Sequence, residues 1–385
     1  MKFGLYYEMP RPTRELQLGT YSEKELYDAM LRQVITAEEL GYRITWLPEH
    51  HYNVDFSHMS APEVTLMNIA AHTTEMRVGN AVVILPIQHP VMVAERFATI
   101  DLLSNGRLEM GVGRGAYNGW FKVFTPGSAL TTDQTRPKFI EAVEVIHKSW
   151  TQEWFTHDGE YFKVPEPINV VPKPLQKPFP RFHAPCTSYD SLDIYPKLGI
   201  NAQVQTWFTP LSFVEEQVKR FRSGWAQAVK NQKSYATTPE GEFSCLINMY
   251  CAPTRKQAYD EVRPYWEWFM KTCRDFYFHD LSRAYGGRVP VEMAKNLYPG
   301  FPNADWAGFL RDKMFCVGSP DDCYDYIATL DKFGVDTTFM QIQIGPLPFD
   351  KTMKSLKLFG KEVASQFLNG KTKSKTNRVK AAAKG

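Results

Sequence analysis

The chain has no Cys-x-x-Cys pair. Its six cysteines (186, 245, 251, 273, 316 and 323) are scattered, which argues against a zinc ribbon, a dithiol redox motif and a disulfide framework and leaves buried thiols as their reading. It also lacks any apolar run approaching the roughly 20 residues that span a bilayer, and the opening MKFGLYYEMPRP has no sustained apolar stretch of a secretory signal. The expectation is a cytoplasmic protein with no membrane segment. A strong charge of one sign is absent too: 45 basic against 42 acidic residues leave a formal +3, a weak field for gripping nucleic acid. Part of that excess sits in KTKSKTNRVKAAAKG at the C-terminus, with five lysines, one arginine and no acid; residues 369–385 read as a solvated basic tail. A His-x-His pair near the first strand, the sign of a metal-dependent barrel hydrolase, is missing because residues 2–9 contain no histidine, and no metal is expected. No fixed-period repeat is visible.

What is present is an ordinary globular balance, 43% hydrophobic and 23% charged, enough to bury a sizeable core. The rhythm is strand, then helix. Residues 2–7 form a short apolar strand, and Ser22 with Glu25 makes an S-x-x-E capping box that opens a helix ending at Gly41. Strands follow at 43–47, 77–85, 107–112, 181–184, 202–205, 243–250 and 337–344. Helices are expected at 61–73, 91–103, 137–150, 189–198, 210–229 and 320–333. The run 77–85 is nearly continuous in apolar and β-branched residues, as suits a strand buried on both faces. Strands alternating with helices call for a parallel sheet, and eight such units suggest an α/β, (β/α)8 TIM barrel. Two insertions interrupt it. A proline-rich excursion occupies 153–180, and an aromatic-dense segment, 253–315, carries Tyr265, Trp266, Trp268, Phe269, Phe276, Tyr277, Phe278 and Tyr285. The rings of the second suit either a lid over a substrate or a dimer interface. The single domain is expected over 1–368.

Barrel enzymes place their chemistry at the C-terminal ends of strands, and several marked residues fall there. Glu49-His50-His51 follows the second strand. If extended geometry persists, the two imidazoles diverge; a shared metal is disfavoured, and one ring is left to act as acid or base near neutral pH. Gly113-Arg114-Gly115 follows the fourth strand, where bare glycines let backbone approach a ligand and the guanidinium can fork onto a phosphate or hydrogen-bond a ligand carbonyl. Ser188 and Ser191 lie in Pro185-Cys186-Thr187-Ser188-Tyr189-Asp190-Ser191, at the start of a helix, where amides and hydroxyls favour an anion. Tyr117, Trp120 and Trp207 are aromatic residues near the same mouth.

The stretch GNAVVILPIQHPVMVAERFATIDLLSNGRLEMGVGRGAYNGWFKVF (79–124) resembles the corresponding segment of the bacterial luciferase-like flavin-dependent monooxygenases. The Glu49-His50-His51 triplet, the opening Phe-Gly-Leu strand, and Val-Gly-Ser-Pro followed by Phe-Gly-Val-Asp within 317–336 agree with it. The likeness extends in pieces over nearly the whole chain, weakest across 125–180 and 253–312. It implies a luciferase-like barrel and a monooxygenase that uses reduced FMN, supplied by a separate flavin reductase, and dioxygen to oxygenate a small apolar organic substrate by way of a peroxyflavin. By the same resemblance His50 is the catalytic residue, and Asn80, Ala81, Val82, Arg114, Tyr117, Ser188 and Ser191 bind the cofactor, the two serines at its phosphate. The Ala81–Val82 bond is expected to be a cis peptide beneath the isoalloxazine. The chain departs from luciferase in having Thr187-Ser188 where luciferase has Glu-Ser. A non-catalytic flavin-binding partner subunit and a deazaflavin-dependent oxidoreductase are the alternatives on this fold, and a homodimer is the expected assembly.

Overall fold

Residue by residue, the local signals become the elements they announce. In the computed structural model, which describes residues 1–13, 19–115, 117–126, 135–186, 188–207, 209–230, 235–284 and 305–368, with backbone alone at 118 and 274–284, β1 (Lys2–Tyr6) leads to α1 (Glu23–Glu39). The Ser22 side chain accepts from the Glu25 N–H while the Glu25 carboxylate accepts the Ser22 N–H at 2.8 Å, so the capping box satisfies two amide groups that an uncapped helix start leaves orphaned. The chain continues through β2 (Ile44–Leu47), α2 (Pro62–His72), β3 (Arg77–Asn80), β4 (Val83–Ile84), α3 (Pro90–Leu103), β5 (Leu108–Gly113), α4 (Asn118–Phe124) and α5 (Thr135–Thr151). Next come β6 (Phe155–Asp158), β7 (Lys163–Ile168), β8 (Phe182–Pro185), α6 (Tyr189–Ile194), β9 (Asn201–Gln205), α7 (Val214–Lys230), β10 (Phe243–Cys251) and α8 (Arg255–Ala284). After a short helix, Trp306–Arg311, β11 (Cys316–Gly318), a helix at Pro320–Phe333, β12 (Thr337–Gln341) and a helix from Phe349 complete the described chain.

Eight strands, β1, β2, β3, β5, β8, β9, β10 and β12, pair in parallel, each with the next, and β12 returns to β1. The sheet is therefore a closed (β/α)8 barrel, and all eight expected strands lie in its wall. Alternation along each strand sorts the side chains. Phe3, Leu5, Leu47, Met110, Ala202, Ile247 and Met340 pack outward against Leu26, Met30, Leu66, Phe97 and Val143 of the helices. Tyr6, Trp46, Leu246, Tyr250 and Phe339 form a separate inner cluster. Each of these large apolar side chains stabilises the fold by about 1.5–3 kcal/mol when fully buried.

One departure from the sequence expectation lies at the mouth, and the two insertions take definite form. The run 77–85 is not one strand: β3 stops at Asn80 and β4 pairs only with the end of β5, while the Ala81–Val82 peptide between them is cis, as the resemblance implies. Apolar periodicity could not show this break, because both halves are buried. The excursion at 153–180 contains a hairpin, β6 with β7, beside α5. In the second insertion, the Trp266, Trp268 and Phe269 rings of α8 are buried in the inner cluster with Tyr6, Trp46 and Phe339, so these rings are used against the barrel mouth of their own chain. Residues 285–304, with Tyr285, lie outside the described residues, as do the side chains of Phe276, Tyr277 and Phe278 and the tail 369–385. All six cysteines are free and buried. No helix among the described residues is long and apolar enough to cross a membrane.

The opposite rim is closed by charge. Glu109 of β5 is fully buried and paired with Arg77, Arg181 and His183; Arg181 also reaches Glu242 at 2.7 Å, and Glu242 in turn accepts from Thr337 at 2.6 Å. Burial alone would raise the Glu109 pKa, but the hydrogen bond from His183 and the guanidinium charges hold this carboxyl far below the usual range.

Candidate active site

A cavity of about 200 Å³ lies where the strand ends converge, and His50, Ala81, Val82, Arg114 and Ser191 all line it. These residues come from four different strand ends, β2, β3, β5 and β8. Asn80, Ser188, Tyr117 and Trp207, also marked in the sequence, do not line it. Asn80 is fully buried with its side chain engaged by Gly111, Nδ2 donating to the Gly111 carbonyl at 2.7 Å and Oδ1 accepting its N–H at 3.1 Å. Ser188 caps α6 and its hydroxyl lies 3.1 Å from that of Ser191. The Tyr117 ring stands edge-on to Trp120, 5.4 Å between centroids, and Trp120 lines the cavity. Trp207 is buried beside Tyr6 and Phe269. Thr187 lies outside the described residues.

The glycines in this wall have a steric reason. A Cβ on Gly111 would stand 1.7 Å from the Asn80 carbonyl oxygen, and one on Gly113 would stand 2.1 Å from Val82 Cγ2. Only bare backbone lets β5 pass this close to the Asn80–Val82 segment.

The two histidines diverge as alternation required. His51 Nε2 is 2.9 Å from Glu49 Oε1, while Glu49 Oε2 accepts the Ile84 N–H at 2.8 Å. Glu49 thus ties the end of β2 to β4 and orients His51. His50 turns the other way, its ring stacked on Phe56 at 5.2 Å and tilted against Trp120 at 5.4 Å, with Nδ1 3.5 Å from Glu8 Oε2. Burial, and secondarily the neighbouring His51, push the His50 pKa down to about 3. The ring is neutral at physiological pH. Burial likewise lifts the Glu8 pKa to about 8, although Tyr6 and Ser57 hydrogen-bond to the carboxyl.

On the β5 and β8 side the donors gather. Arg114 and Ser191 both hydrogen-bond to the Tyr195 phenol, and all three line the cavity with Gln203 and Gln205 of β9. Gln203 Nε2 is buried with no partner among the described residues. A guanidinium, two hydroxyls and an amide donor are the chemistry that an anionic, carbonyl-rich ligand needs. Tyr6, Leu246 and Phe339 supply an apolar wall. Sequence reading missed Tyr6, Glu8, Tyr195, Gln203, Gln205, Leu246 and Phe339. Glu8 had one visible signal, an acid at the end of an apolar barrel strand. Tyr195 and Gln203 had none, since their roles depend on neighbours distant in sequence.

Comparison with known proteins agrees with this geometry. A family model described as luciferase-like monooxygenase matches residues 7–337. The alkanal monooxygenase alpha chain of Photorhabdus laumondii is 32% identical over 392 residues, covering 97% of this chain and 99% of that one. The oxygenase component of the flavin-dependent trigonelline monooxygenase of Acinetobacter baylyi is 28% identical over 259 residues, 67% of each chain. Among solved structures, the oxygenating constituent of 3,6-diketocamphane monooxygenase of Pseudomonas putida, a type II Baeyer-Villiger monooxygenase in complex with FMN, superimposes with a TM-score of 0.73 at 21% identity, covering 95% of this chain and 98% of that one.

Proposed function

The chain belongs to the luciferase-like monooxygenase family and is a flavin-dependent oxygenase, and from that premise we propose that it uses reduced FMN and dioxygen to oxygenate a small apolar organic substrate at the mouth of its barrel. The observation that carries this reading is the pairing, in one cavity, of a basic and hydroxylic wall (Arg114, Ser191, Tyr195) with a shielded imidazole, His50, set among apolar rings.

The residues present fit a flavin mononucleotide. Arg114, Ser191 and Tyr195, backed by Ser188, would hold its phosphate or ring carbonyls, the buried Gln203 Nε2 offers a donor that lacks a partner among the described residues, and Ala81 and Val82 would form the floor. When bound, reduced FMN would supply the electrons that activate dioxygen and so the oxygen atom passed to substrate. The chain's own residues do the rest. Trp120, Phe339, Leu246 and the buried rings of α8 keep water from the reacting atoms, and His50 handles the proton that oxygen transfer demands. A separate flavin reductase is part of this reading, supported by the relative that is named an oxygenase component.

Rapid mixing of the protein and photoreduced FMN with oxygenated buffer tests it. The return of oxidised-FMN absorbance should lag well behind that of free FMN, and His50→Ala should shorten the lag. Return at the free-FMN rate, or tighter binding of a deazaflavin than of FMN, would refute the assignment.

A further inference from the structure

Glu8 leaves the end of β1 with only 1% of its side chain exposed. Oε1 accepts from the Tyr6 hydroxyl at 2.6 Å, and Oε2 faces His50 Nδ1 at 3.5 Å. Among the described residues, the titratable groups around this pair are Tyr6 at the end of β1, Cys273 on α8 and His51 beside His50; Ser57, beyond β2, adds a hydroxyl. Neither Tyr6 nor Cys273 supplies a cation, and His51 is paired with Glu49 at 2.9 Å rather than with Glu8. The Cys273 thiol is itself held neutral by burial, and among the described residues no lysine or arginine pairs with Glu8.

Burial without a cation disfavours the charged form of a carboxyl, so the group keeps its proton. An un-ionised carboxyl has one O–H donor and one carbonyl acceptor. Tyr6 donates to Oε1, which makes Oε1 the carbonyl and places the O–H on Oε2, toward Nδ1. A neutral imidazole accepts at one nitrogen and donates at the other, and the bond made by the first decides which.

We propose that Glu8 is a positioning residue for His50: its Oε2–H donates to Nδ1, so the imidazole's own proton sits on Nε2 and His50 meets the reaction as a hydrogen-bond and proton donor. This rests on the reading of His50 as the proton-handling group of the cavity. The present separation is that of a loose contact, and such bonds tighten when a ligand closes the site. Proton flow balances. As Nε2 releases its proton to an oxygen anion of the reacting ligand, Nδ1 takes the Glu8 proton; Glu8 remains a carboxylate accepting from Tyr6 and Nδ1–H, and water restores its proton after product leaves.

Ionisation of Glu8 reverses the arrangement. A carboxylate only accepts, so Nδ1 must then carry the proton and Nε2 becomes an acceptor. Glu8→Gln keeps the donor, with its amide oxygen facing Tyr6 and its N–H₂ facing Nδ1; Glu8→Leu has none.

Nitrogen NMR of protein labelled with ¹⁵N-histidine, without flavin, reads this directly, because the two tautomers differ in their ring-nitrogen shifts. The His50 signals are those lost in His50→Gln. In the parent protein His50 should be the Nε2–H tautomer at neutral pH and convert to Nδ1–H with a midpoint near pH 8. Glu8→Gln should hold Nε2–H on both sides of that midpoint, and Glu8→Leu should lose the preference. An Nδ1–H ring in the neutral parent, or the same alkaline conversion in Glu8→Gln, overturns the proposal; should Glu8→Leu fail to fold, the other two proteins decide. No turnover enters the measurement. If the tautomers behave as stated while His50→Gln leaves FMN reoxidation unchanged, the pairing stands and the functional reading falls.

Discussion

Asn80 and Gly111 are joined by two hydrogen bonds, one in each direction, between the side chain of the first and the backbone of the second. The pair continues the ladder between β3 and β5 at the point where the chain leaves β3 for the cavity floor. Asn80→Ala would leave a buried N–H and a buried carbonyl of Gly111 unmatched, at about 1–3 kcal/mol for each group. Chemical denaturation should show a loss of several kcal/mol, and flavin affinity should fall with it because Ala81 and Val82 lose their anchor. A loss below about 1 kcal/mol would mean that the two bonds are replaced by others.

The pH dependence of stability should carry the signature of the Glu8 and His50 pair. Glu8 has a value near 8 in the fold against an ordinary 4.5, so its contribution is complete below 4.5 and is lost as pH rises through 8. His50 has a value near 3 against 6.5, so its contribution is complete above 6.5 and is lost as pH falls through 3. Between 4.5 and 6.5 the two slopes oppose each other. From this pair, melting temperature should be level in that window and decline on both sides. Glu8→Gln should flatten the alkaline decline and His50→Gln the acid one; variants that track the parent at every pH would contradict the assignment.

At the opposite rim, Glu109 is the counter-charge for Arg77 and Arg181 and a hydrogen-bond partner of His183. Glu109→Gln removes that charge while the cations stay, a change that costs about 3–5 kcal/mol when a buried ion pair is broken from one side. Urea unfolding should show it. The remaining folded protein should bind flavin as the parent does, since none of these four residues lines the mouth cavity.

Arg114 should discriminate between flavins with and without a phosphate. Charge-assisted hydrogen bonds contribute about 1.5–3 kcal/mol, so Arg114→Ala should weaken FMN binding by roughly 10- to 100-fold and riboflavin binding much less. Arg114→Lys should restore charge without the planar fork and recover only part of the loss. Fluorescence titration with both flavins is sufficient; equal losses for the two would move Arg114 from the phosphate to the ring.

Much of the fold was legible because its signals are local. The Ser22–Glu25 box formed as read, since both partners lie within one turn, and the eight apolar runs became the eight barrel strands because strands buried on both faces leave that mark wherever they occur. The divergence of His50 and His51 also followed from alternation. The break after Asn80 did not, because 77–85 is apolar on either side of it, and what ends β3 is the backbone of Gly111 on a neighbouring strand.

Strand number, the barrel's closure as an expectation, and the presence of histidine and arginine at strand ends were all set by patterns spanning a few residues. Which way each group faces, and in what protonation state, was decided by packing. Glu8 reads in sequence as an ordinary acid after a strand, and it becomes a neutral partner of His50 only because β1 and β2 lie side by side and α8 covers them. Burial changes the free energy of a charge by amounts that no local pattern encodes, since the atoms that exclude water come from remote parts of the chain.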